Sequence, residues 1–348
     1  MTDNDFISKI WQEGKRLYRD LPWRRVHDPY AILVSEVMLQ QTQVARVEKY
    51  WQRFLQLFPT LDALAAADTS VVLEMWQGLG YNRRALALKR TAEMCSEQYQ
   101  GQLPGDYDQL LALPGIGKAT AGGITAFAYE KPTLYLETNV RTVFLHEYFP
   151  GIDGVTDKEL EPLVERTCSQ DNPRGWYYAL LDYGAYLKAH TVNPSRRSKH
   201  HSVQSKFEGS RRQKRAEVVR LVLAQRNVSF ADIYEMLCAF EESHGRENPD
   251  TALVQSIIDD LVLEGFFART DQMPEDHTLA DQGHSDELPE DQAHEGQGHS
   301  DELPENQRCA DQVLGNVPQI TNAKTRDAQP DCKTSPGYDP ELVRYCVL

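Results

Sequence analysis

Residues 113–123 read Leu-Pro-Gly-Ile-Gly-Lys-Ala-Thr-Ala-Gly-Gly, and they constrain this chain more than any other stretch. The run Pro114-Gly115-Ile116-Gly117 predicts a tight turn, because glycine takes positive φ at no steric cost. Tyr107 to Leu113 before it has helical apolar spacing, and Ala119 to Ala128 after it is a run of small residues suited to a closely packed helix. A helix, a glycine turn and a second helix leave several backbone N–H groups free at one helix N-terminus. Such a terminus attracts anions, and a cradle of backbone amides grips phosphate without reading a base. On this segment alone, an ordinary corner between two helices is the alternative.

Charge decides whether phosphate is a plausible partner. The 348 residues carry a net charge of −15, which by itself argues against nucleic acid. The distribution removes much of the conflict. Residues 1–270 carry 32 Lys and Arg against 35 Asp and Glu, while residues 271–348 carry 5 against 17. The stretch 195–215 concentrates Arg196, Arg197, Lys199, Lys206, Arg211, Arg212, Lys214 and Arg215 against the single acid Glu208. A basic segment on a near-neutral body is a phosphate footprint or a solvated linker.

Other classes are excluded by composition. A hydrophobic content of 41% supports a sizeable core, and the length admits two domains. No run of 18 apolar residues exists, so no membrane span or membrane partner is expected. The start, Met1-Thr2-Asp3-Asn4-Asp5-Phe6, is polar and acidic and lacks a signal-peptide pattern. The six cysteines, at 95, 168, 238, 309, 332 and 346, are far apart and form no Cys-x-x-Cys knuckle. This usage suits a reducing compartment, with no disulfide framework and no metal-ligand set. A cytoplasmic location, on the nucleoid in a bacterium, is the expectation.

Three regions follow. Residues 1–211 read as helix after helix, with apolar spacing from Ile32 to Leu57 and again over 61–66, 71–77, 83–98 and 107–113. Residues 212–270 predict three helices (215–224, 230–240, 252–263) and a turn into a short strand over 264–268, which suggests a small winged-helix-like domain. From 271 the chain turns acidic, and Gly-His-Ser-Asp-Glu-Leu-Pro-Glu occurs at 283–290 and again at 298–305. That composition predicts a disordered tail over 271–348, with a protein partner as its expected use. Its histidines at 277, 284, 294 and 299 read as repeat duplication rather than a metal site.

Two carboxylates stand in apolar surroundings. Glu36 lies among Val34, Val37 and Met38 and shares a helix face with Gln40. Desolvation there would raise its pKa and suit a general acid, whereas a solvent-facing Glu36 is the alternative. Glu137, in Leu134-Tyr135-Leu136-Glu137-Thr138-Asn139-Val140, is either a helix-start acid or a second catalytic group. Two carboxylates flanking one glycosidic bond protonate a leaving group and stabilise an oxocarbenium-like centre. Trp76 to Arg84 sets Tyr81 beside two arginines at a glycine-rich turn, a tip able to enter a base stack or simply an interhelical loop.

These pieces occur in a telling order. Leu21-Pro22-Trp23, Pro29-Tyr30, Ser35 to Val44 (Ser-Glu-Val-Met-Leu-Gln-Gln-Thr-Gln-Val), Phe58-Pro59-Thr60, Trp76-x-Gly78-Leu79-Gly80-Tyr81 and the turn at 113–117 follow one another. Over residues 5–190 the chain resembles the adenine DNA glycosylases of the helix-hairpin-helix superfamily, relatives of endonuclease III. The resemblance implies a mainly α, two-lobed helix-hairpin-helix DNA glycosylase fold, which binds double-stranded DNA as a monomer and flips out a mismatched or damaged base. It implies Glu36 as the acid that protonates the base, Glu137 as the group beneath the cationic sugar, and Asn139 as the residue that orients the site. It places Gln40, Gln41, Thr42, Leu79, Tyr81, Gly115, Gly117 and Lys118 against DNA, joined by Arg196 and Arg197 of the basic segment, with a monovalent cation at the hairpin. The implied activity is base excision repair of adenine opposite guanine or 8-oxoguanine.

Four departures qualify it. The family's essential aspartate is Glu137 here, one methylene longer, and misplacement by about 1 Å can cost about 10²-fold in rate. Ala119 fills the hairpin position that is lysine in bifunctional relatives, so no Schiff-base step is expected. Lys188 stands at the first ligand position of the family's iron–sulfur loop, and no cysteine occurs between 168 and 238, so no cluster is expected. The usual C-terminal domain that senses 8-oxoguanine is not recognisable. A glycosylase retargeted to uracil, thymine or hypoxanthine and an inactive lesion-binding protein remain as alternatives.

Overall fold

A computed structural model describes residues 2–203, 205–225, 227–269 and 344–347. Most of these are helical. The first lobe holds α2 (Pro29–Leu39), α3 (Val44–Leu57), α4 (Leu61–Ala66), α5 (Thr69–Trp76), α6 (Arg83–Gln98), α7 (Tyr107–Ala112) and α8 (Lys118–Phe127). The second lobe is built from the N-terminal helix α1 (Asp3–Leu17) with α9 (Thr138–Glu147), α10 (Asp157–Thr167) and α11 (Pro173–His190). The chain therefore returns to its own start, and α1 packs along α11.

Local chemistry sets most of the helix starts. Thr2 and Thr156 open α1 and α10 with reciprocal capping boxes, each bonding the acid three residues on. Asp28 accepts from the amides of Tyr30 and Ala31 ahead of α2, whose first residue is Pro29. The apolar pattern expected over 32–57 is broken by a turn at Gln40–Gln43, where Gln41 adopts a left-handed φ of 55°. α2 and α3 are separate helices for that reason.

The two lobes have separate apolar cores that share α2 and α8. Leu33, Val34, Val37 and Met38 face the first core with Phe54 and Trp76, while Ile32 faces the second with Phe6, Phe144 and Trp176. On α8, Ala121 and Ile124 belong to the first core, and Ala126 and Phe127 to the second. Each large apolar side chain fully buried in this way contributes roughly 1.5–3 kcal/mol. α2 is buried on almost every side, so its one acid, Glu36, sits where the lobes meet.

Beyond them, α12 (Arg211–Ala224), β1 (Val228–Ser229), α13 (Phe230–Ser243), α14 (Thr251–Leu263), β2 (Phe267–Arg269) and β3 (Arg344–Val347) form three helices and a small antiparallel sheet. β3 lies between β1 and β2, pairing Tyr345 with Val228 and Val347 with Phe267. This corrects the sequence-based boundary of the tail. Residues 344–347 are not tail but the central strand, and Tyr345 is fully buried. Four residues with one buried aromatic are too short a signal to stand out from 78 acidic, polar positions. The octapeptide repeats and the tail histidines lie outside the described residues.

Candidate functional site

A cavity of about 300 Å³ opens where α2, α8, α11 and the N-terminus of α9 converge. Glu36, Glu137, Asn139, Ala119 and Tyr178 line it. The run of small residues on α8 explains how a carboxyl fits there. A Cβ at Gly123 would land on Glu36 Oε2, and one at Gly122 would meet the Leu134 carbonyl oxygen at 2.6 Å. Burial pushes the Glu36 carboxyl up to about 8, with the nearby Glu137 charge adding to the rise. Glu36 is therefore largely a neutral acid at neutral pH.

Glu137 is the N-cap of α9, and its side chain accepts from the amides of Asn139 and Val140, the latter at 3.0 Å. The sequence left Glu137 as a helix-start acid or a second catalytic group; the structure makes it the start of α9 and sets it in the cavity wall. Burial raises its pKa on balance, although the two amides and the charges of Lys188 and Arg141 oppose the rise. The helix N-terminus also favours the ionised form. Burial thus raises both carboxyls, but Glu137 also has amide donors and cations beside it that oppose the rise.

Asn139 ties Glu137 to α11. Its Nδ2 lies 3.4 Å from Glu137 Oε2, and its Oδ1 accepts from Lys188 Nζ at 3.0 Å. α11 can come this close because Gly184 has no side chain: a Cβ there would reach Asn139 Cβ at 2.8 Å. Sequence reasoning did not assign Lys188 to the site. The readable signal was the spacing of Leu181, Gly184 and Lys188, which places all three on one face of α11 toward α9.

A second group of residues forms an outer face. Gln41 and Tyr81 both hold left-handed φ, 55° and 50°, at exposed turns. One buried side chain, Arg84, clamps both turns. It donates to the carbonyls of Val37 (2.9 Å), Met38 (2.8 Å) and Gly80 (2.8 Å), and to Thr42 Oγ1 (3.0 Å). Burial lowers the Arg84 pKa to about 10, which leaves it cationic at neutral pH. Gln40 Nε2 donates to Thr120 Oγ1 at 2.9 Å and fixes the end of α2 against α8.

Several expected contacts sit differently. Leu79 is 2% exposed, packed in the first core, so its side chain is not on the outer face. Of the two arginines beside Tyr81, Arg84 is internal and Arg83 pairs with Glu264. Tyr81 itself is 38% exposed, and its hydroxyl accepts from Arg212 Nη1 at 2.8 Å. At the hairpin, Gly115 has φ of 73° and its missing Cβ makes room for Ala87. Gly117 does not need positive φ: it is extended at −88° and caps α8. No side chain caps α8, and the space beside Gly117 is open. Lys118 is exposed, with its carbonyl taken by the Tyr107 hydroxyl.

The basic segment is only partly available. Arg197 Nη2 donates to the Leu145 carbonyl at 2.7 Å at the end of α9, whereas Arg196 is exposed. Arg211, Lys214 and Arg215 pair with Asp260, Glu241 and Glu264. Charge clustered in sequence is here spent on docking α12. Among the described residues no group of three or more His, Cys, Asp or Glu could hold a metal ion, and no helix is long and apolar enough to cross a membrane.

Comparison with known proteins adds names to this geometry. Residues 34–170 match the family model described as HhH-GPD superfamily base excision DNA repair protein. The chain is 46% identical over 177 residues to an adenine DNA glycosylase of Mycolicibacterium smegmatis, covering 50% of this chain and 60% of that one. It is 36% identical over 187 residues to an adenine DNA glycosylase of Homo sapiens, covering 50% and 34%. The chain thus spans about half the length of the curated relatives it matches. Among solved structures, a thermostable thymine-DNA glycosylase aligns with a TM-score of 0.49 at 26% identity, covering 53% of this chain and 86% of that one. A non-covalent endonuclease III–DNA complex aligns with a TM-score of 0.47 at 20% identity, covering 55% and 90%.

Proposed function

We propose that this chain, whose residues 34–170 carry an HhH-GPD base excision repair domain, is a monofunctional DNA N-glycosylase. The observation that carries the reading is the pair Glu36 and Glu137 buried in one cavity, with amide donors and the charges of Lys188 and Arg141 set beside Glu137. Glu36 gives its proton to a ring nitrogen of a flipped-out base. The C–N bond then loosens toward an oxocarbenium ion, and the Glu137 carboxylate beneath it offsets the positive charge. Asn139 holds Glu137 in place. Water adds to the sugar, and an abasic site remains. Ala119 offers no amine, so the reaction ends at hydrolysis.

Double-stranded DNA with a mismatched or damaged base is the proposed partner. The start of α8, which no side chain caps, grips the backbone, where the hairpin would hold a monovalent cation that adds positive charge toward phosphate, while Gln41 and Tyr81 enter the stack. The target we favour is adenine opposite guanine or 8-oxoguanine, on the strength of relatives named adenine DNA glycosylase. An iron–sulfur cluster does not fit. It needs thiolates, and Lys188, at the first ligand position, sends an ammonium to Asn139 instead.

A second reading retargets the same chemistry to another base. The longer acid at 137 and the space beside Ala119 favour it. Single-turnover base release from short duplexes separates the two. Adenine, uracil, thymine or hypoxanthine would be placed opposite guanine, 8-oxoguanine and the normal partner, with Glu36→Gln and Glu137→Ala beside the wild type. Adenine release abolished by both substitutions supports the first reading, and release of another base supports the second. Intact binding with no release from any duplex would leave a lesion-binding protein.

A further inference from the structure

We propose that Lys188 is a positioning residue for this site, holding Asn139 and, through it, the Glu137 carboxylate in line with the cavity. The inference rests on the glycosylase reading for its catalytic consequence, but its structural half stands on geometry alone. Lys188 is half-buried on α11, and no carboxylate pairs with it among the described residues. Its ammonium donates to Asn139 Oδ1 at 3.0 Å. That bond decides which way the Asn139 amide faces. With Oδ1 turned to Lys188, Nδ2 is turned to Glu137 Oε2 at 3.4 Å. A half-buried ammonium without a counter-ion is costly to keep, and a carboxylate one amide away offsets that cost.

The other charges around Glu137 do not replace it. Glu36, on α2, is an acid whose own pKa is raised by burial and by Glu137, so it supplies no positive charge. Tyr135 faces both acids as a neutral phenol whose own pKa is raised well above normal by burial and by those acids. Arg141, on α9, is engaged by Asp157 through two bonds of 2.8 and 2.9 Å, so its charge is largely matched. Lys188, on α11, bonds Asn139 Oδ1, whereas the α9 amides bond Glu137 directly. Glu137 has one more methylene than an aspartate and correspondingly more freedom to swing. Two amides hold one oxygen, and the Lys188–Asn139 bond restrains the other.

The test compares wild type, Lys188→Met and Lys188→Arg in the full chain by two readouts. The first is NMR titration of the Glu137 side-chain carboxyl, assigned by its loss in Glu137→Gln. We expect the Lys188→Met titration to move to higher pH by about one unit and the Lys188→Arg titration to return toward wild type. An unmoved titration overturns the proposal whatever the activity. The second is single-turnover base release against pH. Lys188→Met should lose about 10–100-fold near neutral pH, recover part of the loss at higher pH as Glu137 ionises, and be rescued by arginine. Equal rates and pH profiles in wild type and Lys188→Met overturn the catalytic half. A wild type inert on every duplex, with the titration shift present, sinks the glycosylase reading and leaves the Lys188–Asn139–Glu137 linkage standing.

Discussion

Gly123 and Glu36 occupy one space: the position a Cβ would take on Gly123 is filled by Glu36 Oε2. The glycine sits mid-helix in α8, where it weakens the helix by roughly 0.5–1 kcal/mol relative to alanine. It is tolerated because the carboxyl needs the volume. Gly123→Ala should therefore turn the Glu36 side chain out of its cavity. Base release should fall by about 10²-fold, and overpacking should destabilise by about 1–3 kcal/mol. Single-turnover rates and urea melts read the two effects separately. Full activity in Gly123→Ala would show that Glu36 does not act from this pose.

Glu36 also makes stability depend on pH. Its folded-state pKa, about 8, lies above the unfolded value of 4.5. A raised pKa means that the folded state binds the proton more tightly. The stabilisation is complete below about pH 4.5 and is lost as pH rises through about 8. Glu36→Gln removes this loss, so the mutant should gain on the wild type steadily between pH 5 and 9, by about a few kcal/mol at the alkaline end. Urea denaturation at pH 5.5 and 8.5 tests it, and parallel curves for the two proteins would refute the buried carboxyl. The wild-type rate of base release should decline over the same alkaline range, because the acid is then ionised.

Arg84 holds two turns that are otherwise joined by longer bonds of 3.3 Å from Thr42 Oγ1 to the Leu79 carbonyl and from Arg46 Nη1 to the Gly78 carbonyl. Arg84→Leu leaves several buried carbonyls without donors. The expected cost is about 3–5 kcal/mol, since a buried charged donor is removed from its partners. Arg84→Lys should recover only part of it, because an ammonium cannot span both turns. The sharper check is local: hydrogen exchange at Gln40–Thr42 and Leu79–Tyr81 should rise together. Protection lost in one turn but kept in the other would refute the clamp.

Arg196 and Arg197 are neighbours in sequence with different prospects. If DNA reaches this surface, Arg196→Ala should lower the slope of log K against log salt by about 0.9, one phosphate's worth. Arg197→Ala should leave the slope unchanged and instead lower stability, because its guanidinium already serves the Leu145 carbonyl. Binding measured between 50 and 200 mM salt distinguishes them. Equal slopes for wild type and Arg196→Ala would remove this residue from the interface.

Much of the fold was legible locally. Helix starts at Asp28, Thr60, Asp106 and Thr156 follow from capping chemistry within four residues. The hairpin at 113–117 follows from its proline and glycines, although only Gly115 uses positive φ. Leu79 and Arg84 were harder. Leu79 lies in a tip of polar and glycine neighbours, and nothing near it in sequence reveals that the core lies beneath. Arg84 looks like any helix-start arginine until α2, 44 to 47 residues earlier, is brought under its guanidinium.

The sequence by itself determined the helices, the hairpin, the two candidate acids and the lack of a thiolate set near Lys188. Each of these depends on residues a few positions apart. Tertiary structure alone decided that burial raises both acids and that donors and cations oppose the rise at Glu137, because desolvation and neighbouring charge come from α8, α9 and α11 packing around α2. It also decided that Lys188 serves Asn139, that Arg211, Lys214 and Arg215 of α12 are committed to acids in α14, α13 and the turn after α14, and that residues 344–347 close a sheet begun at Val228. These are contacts across 27 to 117 residues of chain, and no local pattern encodes the partner.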